Sequence, residues 1–149
     1  MSSQVNGLVL LVEDNPDDVL FFKRAMEQAG LRRPLYVAND GRMAIEYLDG
    51  IGDYADRSRF PLPCLVLLDL KLPRVSGLEV LKWIRSQAKL KSLIVIMLAA
   101  SHLDEGIPRS YEIGANSFLV KPTSPIELAK MLRLVKEYWL DLNRAPPAA

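Results

Sequence analysis

Apolar residues along the chain gather in five short runs, separated by longer stretches in which they recur every three or four positions. The runs are LVLLVE (8–13), PLYVA (34–38), CLVLLD (64–69), LIVIML (93–98) and SFLV (117–120). Three of them are continuous rather than alternating, the pattern of strands covered on both faces. The stretches between them read as helices. In the first, Asn15 can cap, Pro16 suits the first helical position and Asp17 and Asp18 favour the positive end of the helix dipole. Val19, Phe22, Met26 and Ala29 follow at helical spacing until Gly30 stops the helix. Asp40-Gly41 opens the second, with Ala44, Ile45 and Leu48 facing in, and Gly77 opens the third, with Leu78, Leu81 and Ile84 inside. The fourth, HLDEGIPRSYEIG, carries Gly106 and Pro108, so a short helix beginning near Ile107 is predicted. The last starts at about Ser124, with Pro125 in its first turn and an apolar face of Ile126, Leu128, Met131, Leu132, Val135 and Trp139.

The order is β followed by α, five times, which implies an open parallel sheet with helices on both faces. Residues 50–63, GIGDYADRSRFPLP, stand outside that order as a turn-rich insertion before the third strand, and the tail APPAA reads as a loose end. One domain over 1–149, with its core at about 8–141, accounts for the pattern.

Composition narrows the class. Of 149 residues half are apolar and a quarter charged, which suits a chain with a real core and argues against disorder. Nineteen basic against eighteen acidic residues give a net charge of +1, with no basic stripe of a nucleic-acid binder. Cys64 is the only cysteine, so no internal disulfide forms and a reducing compartment fits. The opening MSSQVNG lacks the basic start of a signal peptide, and no apolar run is long enough to span a bilayer. A cytoplasmic protein away from membranes is the expectation.

In open α/β sheets ligands bind outside the carboxyl ends of the strands. The first strand here ends in Glu13-Asp14, the third in Asp69, the fourth at Ala99 and the fifth in Lys121-Pro122. Three carboxylates brought together repel one another, and a hard divalent cation such as Mg²⁺ relieves this while leaving an Asp69 oxygen free to attack phosphorus. Lys121 would offset charge on an incoming phosphoryl group.

The segments E13-D14-N15-P16, D69-L70-K71-L72-P73-R74-V75-S76-G77 and K121-P122, in this order and each at a strand end, resemble the response-regulator receiver family from about Leu8 to Leu140. The opening and the insertion look most like receivers paired with cyanobacterial and bacterial phytochromes. The resemblance implies a flavodoxin-like (βα)5 fold with strand order 2-1-3-4-5. It implies Asp69 as phosphoacceptor, Asp14 as the main metal carboxylate and Glu13 as its neighbour acting through water. The Lys71 carbonyl would be a further Mg²⁺ ligand, Lys121 the phosphate-contacting lysine before a cis Pro122, and Phe118 the aromatic switch. Its implied partners are a histidine kinase of phytochrome type and a second copy of the chain. Tyr138, Trp139 and Leu140 hold more apolar surface than one helix face needs, and are the candidate dimer contact.

One position departs from the family. Thirty residues after Asp69 and twenty-two before Lys121, where a Thr or Ser is expected, stands Ala99. The missing hydroxyl removes a hydrogen bond to a charged group, worth about 1.5–3 kcal/mol. Ser101 and His102 lie close by in sequence and are candidate substitutes. The leading expectation is therefore a non-enzymatic, stand-alone phosphorylation switch acting through protein contacts. The rival is a degenerate receiver that binds partners regardless of phosphate. Phe118 can equally be a core aromatic, Cys64 reads as a small hydrophobe, and Trp83 as packing. An aspartyl-phosphate phosphatase of the haloacid-dehalogenase type fits poorly, because Lys71 stands where its second Asp is needed. Nucleotide-binding glycine motifs are absent.

Overall fold

The computed structural model describes residues 7–102 and 105–146. Its five parallel strands are β1 (Val9–Val12), β2 (Leu35–Ala38), β3 (Leu65–Asp69), β4 (Val95–Ala99) and β5 (Ser117–Val120), in the order β2-β1-β3-β4-β5. The helices are α1 (Pro16–Gln28), α2 (Gly41–Asp49), α3 (Gly77–Ser86), α4 (Gly106–Ile113) and α5 (Pro125–Val135). This is the open parallel sheet expected from the order of elements, in the flavodoxin-like strand order that the resemblance implies.

The continuous apolar runs have a simple cause. Every residue of β1, β3 and β4 is buried, because side chains alternate between two separate cores. Leu10, Val12, Val66, Leu68 and Met97 face α2, α3 and α4, whereas Val9, Leu11, Leu65, Leu67 and Ile96 face α1 and α5. The edge strands β2 and β5 have one neighbour each and are half-buried, which is why their runs are short.

Helix starts follow their cap residues. The Asn15 carboxamide oxygen accepts from the backbone N–H of Asp17 and Asp18, and Pro16 occupies the first turn. Asp40, Ser76 and Ser124 cap α2, α3 and α5 in the same way. Helix α4 begins at Gly106, one residue before the predicted start, without a side-chain cap. The Oγ of its buried Ser110 donates to Gly106 O at 2.6 Å. At its far end Arg85 joins three elements. It donates from Nε to Gly114 O at 2.8 Å, from Nη1 to Lys91 O and Leu93 O, and from Nη2 to the Asn116 side chain.

Two parts of the chain depart from expectation. Periodicity predicts Ile126 on the inner face of α5, but it is 66% exposed. It lies two residues, about 200° of helical rotation, from the buried Leu128, so it points away from the sheet. Beyond α5 the helix widens into a π-helical segment, Lys136–Leu142. Regular helical spacing from the buried Val135 already carries Trp139 inward, and the wider turns bring Leu140 against the α1/α5 core beside it, leaving Tyr138 and Leu142 exposed. The candidate dimer patch of Tyr138, Trp139 and Leu140 therefore divides. Only Tyr138 faces outward, beside Leu134 and Leu142. Ala145 of the presumed loose tail packs on the same core; residues 147–149 lie outside those described.

The insertion is a packed unit. Tyr36, Tyr47, Tyr54 and Phe60 make one aromatic cluster with ring centroids 4.7–6.1 Å apart. Tyr47 is fully buried and its hydroxyl donates to Pro61 O at 2.8 Å, while Tyr36 and Tyr54 share a 2.9 Å hydrogen bond. Arg57 donates to the carbonyls of Tyr47, Leu48 and Phe60, so it both caps the end of α2 and ties down the insertion.

Candidate phosphoacceptor site

Parallel strands that end level with one another carry their terminal side chains to one edge. Val12 of β1 pairs with Leu68 of β3, so Glu13 and Asp69 follow as neighbours. Leu98 of β4 pairs with Leu119 of β5, and Lys121 leaves β5 with its N–H donating to Ala99 O at 2.8 Å. Sheet register alone thus brings together Glu13, Asp69 and Lys121, of which the outer two lie 108 positions apart.

At the centre Lys121 Nζ stands 3.1 Å from Glu13 Oε1 and 3.3 Å from Asp69 Oδ2. Glu13 is 1% exposed and Asp69 7%, whereas Asp14 is exposed at the rim. The second Glu13 oxygen accepts from Asn15 N–H at 3.2 Å, and the Asp69 carboxylate accepts from Lys71 N–H. Carboxylate oxygens of Glu13, Asp14 and Asp69 all lie within 4.8 Å of one another, close enough for one cation to bind all three. These are hard oxygen donors, of the type that suits Mg²⁺ or Mn²⁺.

The electrostatics favour such an ion. Burial, and then repulsion from Asp69, raise the Glu13 carboxyl to about 7. Burial likewise raises Asp69 above the usual carboxylate range, against the pull of Lys121. Burial alone would lower the Lys121 ammonium, but Asp69 and Glu13 together hold it above its ordinary value. One lysine does not neutralise two buried carboxylates and a third nearby, and a divalent cation bound there would supply the missing charge.

A pH dependence follows. A carboxyl whose folded value lies above its unfolded value, here about 7 against 4.5, holds an extra proton in the folded state between them. It costs nothing below the unfolded value and destabilises progressively as pH rises through the folded one. In EDTA, urea unfolding should therefore show stability falling from pH 5.5 to 7.5, with Mn²⁺ affinity rising over the same interval. Glu13→Gln should flatten the first slope; an unchanged slope in that variant would assign it to other groups.

Other predicted residues are placed as follows. Ala99 ends β4, is 2% exposed and presents no hydroxyl to the site. Ser101 and His102 are exposed in the next loop. Phe118 is half-buried, pairs with Met97 across the strands and packs on the α2/α3/α4 core, a position compatible with either of its two readings. The Lys121–Pro122 peptide is trans, not cis as the resemblance implied; trans is the lower-energy isomer even before proline. Cys64 is half-buried with Arg33 Nη1 3.7 Å from its sulfur, and burial raises its thiol, which suits packing rather than reactivity. A cleft of about 450 Å³ opens beside Lys121, lined by Asp17, Asp18, Phe21, Ala100 and Thr123 among others. Sequence reasoning did not anticipate that cleft or the Lys71 N–H bond to Asp69, since both depend on how loops fold back over the sheet edge.

Comparison with known proteins agrees with this geometry. A family model described as the response regulator receiver domain matches residues 9–133. The "Probable methanogenesis regulatory protein FilR2" of Methanothrix harundinacea is 39% identical over 142 residues, 95% of this chain and 89% of that protein. The "Response regulator Rcp1" of Synechocystis is 33% identical over 150 residues, 99% of this chain and all of that protein. The Mn²⁺-bound form of Rcp1 superposes with a TM-score of 0.82 at 32% identity, covering 95% of this chain and 99% of that one. The phosphorylated cyanobacterial phytochrome response regulator RcpA gives 0.86 at 31% identity with the same coverage.

Proposed function

This chain belongs to the response-regulator receiver family, and we propose that it is a phosphorylation switch in which Asp69 takes a phosphoryl group from a histidine kinase. The observation that carries the reading is the placement of Lys121 Nζ between Glu13 and Asp69 within a three-carboxylate cluster.

Each residue then has a task. Asp69 supplies the nucleophilic oxygen, and Lys71 N–H holds its carboxylate in place. Lys121 neutralises charge on the arriving phosphoryl oxygens. Glu13, Asp14, Asp69 and the Lys71 carbonyl would hold Mg²⁺, which when bound draws charge from the phosphoryl oxygens and screens the carboxylates from one another. Catalysis goes no further than the chain's own phosphorylation and dephosphorylation, so the protein is not an enzyme toward other substrates.

Similarity to the cyanobacterial phytochrome response regulator RcpA supports a kinase of the phytochrome type, and a cytoplasmic setting is part of the same proposal. Among the described residues no helix is long and apolar enough to cross a membrane. A homodimer fits the exposed apolar residues Leu134, Tyr138 and Leu142 along the last helix. Light scattering at high micromolar concentration should show a dimer that Tyr138→Lys dissociates; a wild-type monomer at that concentration removes the idea.

Ala99 favours a second reading, a binding module indifferent to phosphate. Uptake of a phosphoryl group from acetyl phosphate, followed by intact mass, separates the two. Wild type should take up one group in Mg²⁺ and none in EDTA. Ala99→Thr should also be labelled, and its restored hydrogen bond should prolong the phosphoryl lifetime by about tenfold. Equal lifetimes would show that the missing hydroxyl has no chemical consequence. Absence of label from both acetyl phosphate and a histidine-kinase donor would leave the binding module standing.

A further inference from the structure

We propose that Gly41, the first residue of α2, is a positioning residue for the loop that follows the phosphoacceptor, an inference that rests on the receiver reading of Asp69. The loop, residues 70–76, joins Asp69 to α3. Its Lys71 N–H bonds the Asp69 carboxylate, so a shift of the loop is a shift in the environment of the nucleophile.

Three contacts hold this loop. At its end Gly77 N–H donates to Leu70 O at 3.0 Å, and a Cβ on Gly77 would overlap Asp69 O. In the middle Arg74 adopts φ 68°, with Val75 N–H donating to Pro73 O at 2.8 Å. That is a three-residue γ-turn in the left-handed region, which a residue with a Cβ occupies only under strain and only where its surroundings enforce it. The surroundings here are the start of α2. A Cβ on Gly41 would overlap the Val75 carbonyl oxygen and come within 2.9 Å of Val75 Cβ. Gly41 begins a regular helix, so its requirement is for space and not for an unusual backbone angle. It brings the buried start of α2 directly against the residue that closes the strained turn.

The neighbouring ion pair does not account for this support. Arg74 Nε is 3.6 Å from Asp40 Oδ2, and the Arg74 side chain is 68% exposed. Pairs of that kind contribute little. The support is steric, and its effect on Asp69 runs from Gly41 through Val75 and the turn to Lys71.

The test is Mn²⁺ binding, followed by electron paramagnetic resonance of the free ion, for wild type, Gly41→Ala, Arg74→Gly and Gly52→Ala. Gly52 lies in the insertion, has φ +58° and has nothing within 4 Å of an added Cβ. Its substitution strains the fold far from the site and controls for lost stability. Gly41→Ala should weaken Mn²⁺ binding by about tenfold or more, as second-layer contacts to a metal typically do. Arg74→Gly, which adopts the turn without strain and leaves Gly41 in place, should bind Mn²⁺ as wild type does. Gly52→Ala should match wild type even where its melting temperature falls further. Rates of phosphoryl uptake at saturating acetyl phosphate should follow the same order, with KM little changed. Mn²⁺ affinity of Gly41→Ala equal to wild type overturns the proposal, as does loss in proportion to melting temperature across all variants. Should Gly41→Ala not fold, the double variant Gly41→Ala with Arg74→Gly, whose turn can give way to the added Cβ, decides: wild-type Mn²⁺ affinity overturns the proposal. Wild type that binds no Mn²⁺ and takes up no phosphoryl group instead removes the receiver reading itself.

Discussion

Lys121→Ala should slow phosphoryl uptake by Asp69 by roughly 10²–10³-fold, the usual effect of deleting one preorganised group that stabilises transition-state charge. The geometry sets that size. Lys121 is 17% exposed by side chain and lies 3.3 Å from Asp69 Oδ2, so little water screens its charge from an arriving phosphoryl group. The cost to stability should be smaller than the number of ion pairs suggests. Removing one partner of a buried pair leaves an uncompensated charge, typically at about 3–5 kcal/mol. Here Glu13 already sits at about 7 and can take up a proton when its cation is lost. The variant should therefore fold near pH 6, lose stability above pH 7, and regain part of it in Mg²⁺. Stopped-flow rates and urea unfolding at two pH values check both halves. A variant as fast as wild type would show that Lys121 organises carboxylates and does not meet the phosphoryl group.

The largest loss of stability is expected at Tyr47. Truncation of a large buried aromatic costs about 3–5 kcal/mol. Tyr47→Ala removes a fully buried ring that touches Tyr36, Tyr54 and Phe60, together with the hydroxyl that satisfies Pro61 O. In a domain of this size each kcal/mol shifts the melting temperature by about 2–4 °C, so a fall of about 10 °C is expected. Tyr47→Phe keeps the ring and loses one hydrogen bond, for about 0.5–1.5 kcal/mol. Because Arg57 bonds the carbonyls of both Tyr47 and Phe60, proteolysis of Tyr47→Ala should begin in residues 50–63. A small loss with an intact insertion would show that the aromatic cluster is ornament to α2 and not its support.

Different physical signals explain which features were legible in the sequence. Strands β1, β3 and β4 were plain because burial on both faces demands unbroken apolar runs, and α1 because Asn15, Pro16, Asp17 and Asp18 mark a helix start in adjacent positions. The cluster of carboxylates and lysine was legible because sheet register carries strand ends to one edge, so that Glu13, Asp69 and Lys121 needed only the right strand order to meet. Side-chain direction at helix ends was less accessible. Ile126 looked apolar and periodic, yet its angle around α5 points it to solvent. Leu140 looked like surplus surface until the π-helical phase of Lys136–Leu142 turned it inward beside Trp139. The aromatic cluster was hidden for another reason. Its four rings come from β2, α2 and an irregular insertion, and periodicity says nothing about contacts between elements of different kinds. The same holds for Gly41, whose neighbour Val75 is thirty-four positions away.

The central claim is that Asp69 forms the bond to phosphorus. Wild type and Asp69→Asn, incubated with Mg²⁺ and acetyl phosphate and read by intact mass and peptide mapping, test it most directly. One phosphoryl group on wild type, mapped to the peptide that holds Asp69 and absent from the variant, is the predicted result. A phosphoryl group on Asp69→Asn at the wild-type level, or one mapped elsewhere in wild type, would contradict it.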